Sequence, residues 1–154
     1  MTELTLPYPP SVNTYWRHLS RGPLAGRTLI SEKGRAYRAE VMRRCYGLRL
    51  CDLKLAGRLG ITIHAHAPDR RVRDLDNILK SLLDSLTHAG VIEDDSQFDV
   101  IQVFRGEVTR GGVVQVSVGQ IEPTKKGYKR SQQRRRPLIR ARAALLQSAL
   151  DLLE

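Results

Sequence analysis

The stretch Arg58-Leu59-Gly60-Ile61-Thr62-Ile63-His64-Ala65-His66-Ala67 alternates strictly. Leu59, Ile61, Ile63, Ala65 and Ala67 fall on one side; Thr62, His64 and His66 fall on the other. A period of two over this length describes a strand with one face on a core and one on water. Pro68 ends it, and Asp69 to Arg73 is a charged loop. The period then changes. Leu75, Ile78, Leu79, Leu82, Leu83 and Leu86 recur at steps of three and four, which predicts an amphipathic helix from about Leu75 to His88. Gly90 stands where a C-cap glycine belongs.

Upstream, Thr2 to Leu6 reads as a short strand stopped by Pro7, Pro9 and Pro10. Residues 10–26, rich in Pro, Ser, Asn and Gly, read as loop. Ser31 is a good N-cap for a first helix from about Glu32 to Leu50, with Tyr37, Val41 and Cys45 at four-residue steps. Downstream, Glu93-Asp94-Asp95-Ser96 is an acidic turn. Val100 to Val108 and Val113 to Val118 are β-rich runs joined by Arg110-Gly111-Gly112, and that pattern predicts a hairpin. The expected fold is α+β: a small mixed β-sheet of four strands packed by two helices.

The chain has 154 residues, enough for one domain with a real core over residues 1–121. No apolar run approaches the ~18 residues of a membrane span, and Met1 to Leu6 lacks the pattern of a secretion signal. The expectation is an intracellular, cytoplasmic protein with no membrane partner. Cys45 and Cys51 match no zinc spacing and read as idle thiols in a reducing compartment. The formal charge is +10, unevenly spread. Residues 122–154 carry nine Lys/Arg against three acidic residues, or +6, and the remainder carries +4. A polyanionic partner is implied. Residues 123–137 read as a basic arm, and Leu138 to Leu153 as a short amphipathic helix.

The chemistry concentrates in Arg70-Arg71-Val72-Arg73-Asp74-Leu75-Asp76-Asn77-Ile78-Leu79-Lys80 and in Glu93-Asp94-Asp95. Asp74 and Asp76 would point the same way if their stretch were extended. Asp95 can join them only if the turn after Gly90 brings it back. Three carboxylates suit Mg²⁺ or Mn²⁺. Two such ions about 3.5–4 Å apart can activate a water and stabilise the leaving oxygen of a phosphodiester. Lys80 lies four residues after Asp76 on one helix face, placed to contact the scissile phosphate or orient the water. Arg70, Arg71 and Arg73 would bind flanking phosphates. Each residue also has a plainer reading. Asp76 can be a helix N-cap, Asp76–Lys80 a surface ion pair, and Asp94–Asp95 turn chemistry.

The same segments, with Leu6-Pro7-Tyr8-Pro9-Pro10-Ser11-Val12-Asn13 and Ser31-Glu32-Lys33-Gly34-Arg35-Ala36-Tyr37-Arg38, resemble the RusA family of phage and prophage resolvases over about residues 1–120. The resemblance implies a Mg²⁺-dependent homodimer that nicks opposed strands of a four-way DNA junction in a bacterial host. It places essential carboxylates on Asp74, Asp76 and Asp95, an essential lysine on Lys80, and a DNA-binding arginine on Arg73. Asp94 falls on a further acidic position. Asn13 can orient a metal-bound water or lock the turn after Pro10. Tyr8, Tyr15 and Trp16, set among Arg17, Arg21 and Arg27, can stack on unpaired bases or plug the core. His64 and His66, without a thiolate to complete a soft site, read as solvated or cross-strand paired.

Overall fold

The computed structural model describes residues 1–122; apart from Glu122, the basic arm and helix expected beyond lie outside the described residues. The elements in chain order are β1 (Thr2–Pro7), α1 (Val12–Tyr15), β2 (Trp16–His18), β3 (Thr28–Ile30), α2 (Glu32–Gly47), β4 (Leu59–His66), α3 (Leu79–His88), β5 (Phe98–Arg105) and β6 (Val113–Gln120). Strands β1, β4, β5 and β6 form one mixed sheet in the order β1-β6-β4-β5, while β2 and β3 pair in a small separate sheet. No described helix is long and apolar enough to cross a membrane.

The alternation in β4 is realised as read. Leu59, Ile61, Ile63 and Ala65 are buried against Leu4, Leu6, Val114, Val116 and Val118 of the same sheet face. Tyr37, Val41 and Cys45 from α2 and Leu82, Leu83 and Leu86 from α3 cover that face. Truncating Leu82 or Leu86 to Ala in such a core costs about 2–5 kcal/mol. On the polar face His64 stacks on Phe104 with ring centroids 5.1 Å apart, and His66 Nδ1 lies 3.1 Å from the Glu107 carbonyl. His64 is thus a cross-strand partner of β5, and His66 contacts the segment that follows β5. Both cysteines are free thiols, and burial raises the Cys45 pKa to about 11.

The final pair of strands departs from the expected hairpin. β5 runs parallel to β4, and β6 runs antiparallel to β4 on its other side. The cause lies in α3: a strand, a crossover helix and a second strand in one sheet make a parallel pair. The chain leaves β5 beyond the C-terminal end of β4 and crosses over it. Gly106 N–H donates to the Ala65 carbonyl and Thr109 N–H to the Ala67 carbonyl, each at 2.9 Å. Gly112 makes the landing possible, because it adopts φ +64° and any Cβ there would sit 2.8 Å from both Pro68 Cδ and Tyr8 Cβ. β6, with Val114, Val116 and Val118 buried, lies between β1 and β4; β5, with Val100, Ile101 and Phe104 exposed, is one edge of the sheet and β1 the other.

Three smaller expectations are also corrected. The first helix ends at Gly47 rather than Leu50. The 10–26 loop contains α1 and β2. The second helix begins as a 3-10 turn over Asp76–Ile78, and α-geometry starts at Leu79. Asp76 is therefore inside that turn rather than capping it, and no side chain caps either segment. The caps that do hold are Ser31, whose Oγ accepts from Gly34 N–H at 3.0 Å, and Gly90, which follows the Ala89 C-cap at φ +72°.

Candidate active site

The Asp69–Arg73 loop leaves β4 as a closed clasp. Arg73 donates to both Asp69 oxygens, Nη1–Oδ1 at 2.6 Å and Nη2–Oδ2 at 2.9 Å, and Arg71 N–H adds a bond of 2.9 Å to Oδ1. The Arg73 guanidinium, followed by the Arg71 amide, holds the Asp69 carboxyl well below its usual range. Arg105 Nη2 donates to the Arg73 carbonyl at 2.8 Å, so the edge strand β5 staples the same loop. The structure thus engages Arg73 in shaping the loop, while Arg70 and Arg71 stay exposed.

Beyond the clasp, Asp74 and Asp76 are exposed. Asn77 Nδ2 donates to Asp74 Oδ2 at 3.3 Å. Asp74, Asn77 and Arg73 share a cavity of about 390 Å³ with Asn13, Tyr8, Pro9 and Pro10. The N-terminal loop is pinned there by Ser81, a fully buried hydroxyl on α3 that donates to the Pro10 carbonyl at 2.7 Å. The Tyr8 hydroxyl is buried without a hydrogen-bond partner among the described residues.

Asp95 stands on a second surface. It opens a 3-10 turn, Asp95–Gln97, which Asp94 caps: the Asp94 side chain accepts from Ser96 N–H at 2.9 Å, and Gln97 Oε1 accepts from Asp94 N–H at 3.0 Å. Gln97 also accepts from Glu93 N–H at 2.9 Å and donates from Nε2 to the carbonyls of Leu55 and Gly57 at 2.8 and 3.1 Å. One buried amide therefore fixes the acidic turn against the 55–57 segment. The turn chemistry considered for this stretch belongs to Asp94, and Asp95 is the carboxylate it presents.

Across the gap, Lys80 Nζ lies 2.8 Å from Asp95 Oδ2 and 2.8 Å from Asp84 Oδ1. Asp84 first and Asp95 second raise the lysine pKa above its ordinary value. These three residues line a cavity of about 350 Å³ with Arg38, Thr87, His88 and Asp94. Arg38 Nη2 approaches Asp84 at 3.9 Å, and its Nε donates to the Tyr15 hydroxyl at 2.6 Å. Tyr15 is fully buried and is a core plug; Trp16 packs edge-on against it at 5.1 Å.

The structure thus brings Lys80 to Asp95, and Asn13 to Asp74. Among the described residues no three His, Cys, Asp or Glu side chains gather where one ion could be held, so Asp74, Asp76 and Asp95 do not form one ligand set within the described chain. The donors suit a hard cation nonetheless: they are carboxylate and amide oxygens, and Asp95 already accepts a positive group at 2.8 Å. Asp84, Gln97, Arg38 and Ser81 are the site residues that sequence reasoning missed. Asp84 carried a signal, four residues after Lys80 on the same helix face. Gln97 carried another, three residues after Asp94 as in a capping box.

Comparison with known proteins gives this arrangement a lineage. The family model described as "Endodeoxyribonuclease RusA" matches residues 7–119. The crossover junction endodeoxyribonuclease rusA of Enterobacteria phage HK97 is 49% identical over 120 residues, covering 78% of this chain and 95% of that protein. The namesake of Enterobacteria phage 82 is 45% identical and that of Escherichia coli strain K12 is 44% identical, each over 115 residues, 75% of this chain and 91% of the relative. The matched span contains both cavities, the clasp and the capped acidic turn, and the chain belongs to the RusA family of endodeoxyribonucleases.

Proposed function

We propose that this chain is a Mg²⁺-dependent endodeoxyribonuclease that resolves four-way DNA junctions by paired symmetric nicks, acting as a homodimer. The observation that carries the reading is the meeting of Lys80 with Asp95 across fifteen residues at a surface cavity. It occurs in a chain whose relatives are named crossover junction endodeoxyribonucleases. Asp74, Asp76 and Asp95, which do not gather around one point within the described chain, would have to be drawn together by the ion and the DNA to hold it, with Mn²⁺ able to replace Mg²⁺. A bound divalent ion supplies charge neutralisation at the phosphate and lowers the pKa of the attacking water. Lys80 holds its proton firmly between two carboxylates, which suits it to donate hydrogen bonds to a phosphate oxygen and not to act as a base. Arg70 and Arg71 reach flanking phosphates, while Arg73 keeps its loop in shape through Asp69. Asn13 and Asn77, beside Asp74, orient that carboxylate and water near it. A two-fold dimer matches the symmetry of a junction and places two sites on two opposed strands. Such a substrate is met in the bacterial cytoplasm.

The test is cleavage of a labelled synthetic four-way junction with Mg²⁺ or EDTA, comparing wild type with Asp74→Asn. Paired symmetric nicks that need both Mg²⁺ and Asp74 support the proposal. Tight junction binding without cutting would replace it with a binding protein, and equal cutting of flaps or plain duplex would remove the junction preference.

A further inference from the structure

Lys80 occupies a position that helix energetics do not favour. It is the second residue of α3, at the end where the helix dipole repels a cation. Its i,i+4 partner Asp84 follows it, and lysine before acid is the weaker order for such a pair. Asp84 is nevertheless only 14% exposed, while the Lys80 side chain is 50% exposed. A carboxylate withdrawn from water in this way needs compensation, and it has it on two sides. Lys80 Nζ lies 2.8 Å away in front, and Arg38 lies 3.9 Å away behind. Arg38 is itself anchored at 2.6 Å on the hydroxyl of the buried Tyr15, with its guanidinium carbon 5.6 Å from the centre of that ring. A chain of contacts thus runs from the core, Tyr15 to Arg38 to Asp84, and ends on the ammonium that also touches Asp95.

We propose that Asp84 is the positioning residue of the active site: it holds the Lys80 ammonium beside Asp95 from the core side. The inference rests on the functional reading above for its consequence in catalysis, though not for its geometry. A lysine stem has several freely rotating bonds and in water samples many directions. Asp95 alone cannot keep it in place during reaction, because its oxygens are needed by the divalent ion. Asp84, set back from the DNA-facing surface and braced by Arg38, keeps its hold when Asp95 turns to the ion. Lys80 then stays within reach of the phosphate.

Two measurements on the full-length protein test this. The first is metal-free. Reductive methylation followed by peptide mass mapping reads the accessibility of each amine, with the exposed Lys33 and Lys54 as internal standards. Asp84→Asn should speed labelling of Lys80 several-fold and leave the standards unchanged, and Asp84→Glu should restore protection. The second is single-turnover junction cleavage beside junction affinity in EDTA. Asp84→Asn should slow cleavage by about tenfold or more with affinity within about twofold, because misplacement of a reacting group weakens the chemical step and not ground-state binding. Asp84→Glu should recover most of the rate, and in a Lys80→Ala background Asp84→Asn should add no further loss. Unchanged Lys80 labelling in Asp84→Asn overturns the proposal, as does an equal loss with and without Lys80. If the wild type cuts no junction, the functional reading falls, and the labelling result alone decides whether Asp84 positions Lys80.

Discussion

Lys80 Nζ donates to Asp95 Oδ2 at 2.8 Å, although the two lie fifteen positions apart and the rest of α3 runs between them in the chain. The contact exists because α3 presents Lys80 on the face that the capped acidic turn folds back to meet. Neutralising Asp95 removes both a candidate ion ligand and the partner of the lysine. Asp95→Asn should slow single-turnover junction cleavage by roughly a hundred- to a thousandfold, or about 3–4 kcal/mol of barrier. Junction affinity in a gel-shift assay should hold or tighten at low salt, since a negative charge facing DNA is lost. Cleavage within a few-fold of wild type would remove Asp95 from the site.

Gln97 is the second lever on that turn. It satisfies two backbone N–H groups and two carbonyls from a buried position. Gln97→Leu keeps the volume and abandons all four partners. Unfolding free energy from urea titration should drop by roughly 2–4 kcal/mol. Cleavage should fall as well, at temperatures where the variant is folded, because Asp95 loses its anchor. A variant as stable as wild type would show that water replaces the amide at no cost.

The Asp69–Arg73 clasp carries a pH signature. The folded carboxyl sits below its usual value because of Arg73 and then the Arg71 amide. A depressed acid stabilises the fold at pH values above its unfolded pKa of ~4. That contribution is lost as the pH falls towards the lower folded value. Between pH 6 and pH 3 the urea midpoint of wild type should therefore fall further than that of Asp69→Asn, which has no charge to lose at this position. Parallel declines would mean that the clasp adds nothing to stability, as exposed ion pairs often do.

Residues 122–154 hold nine basic side chains and a net charge of +6. Each phosphate contact releases counterions and steepens the logarithmic salt dependence by about 0.9. Truncation after Ile121 should weaken junction binding and flatten that slope, while the matched span keeps the ability to cut. Equal affinity and equal slope would assign the extension to partner docking or dimer packing.

The local sequence was a faithful guide wherever a single period or a single cap decides. The alternation from Leu59 to His66 became β4, the leucine spacing from Leu79 onward became α3, and Ser31 and Gly90 cap as their chemistry requires. Asp76 misled because an acid before an apolar helix looks the same whether it caps the first turn or lies within it. Arg110-Gly111-Gly112 misled for a related reason. A glycine turn between two β-rich runs signals a reversal, and a reversal is what happens, but the returning strand lands on the far side of β4. That choice is made by α3, whose crossover makes β4 and β5 parallel and leaves the other side of β4 for β6.

The carboxylates, the lysine, the basic flanks and the family were legible in the order of residues alone, because residue type and spacing are properties of the chain. Which of them meet was decided only in three dimensions. Lys80 meets Asp95 across fifteen positions, Arg105 reaches the Arg73 carbonyl, and Gln97 reaches the carbonyls of Leu55 and Gly57. Partners of a charged group are chosen by distances that depend on how α3 packs on the sheet. Packing sums over contacts remote in sequence, and no local window contains them.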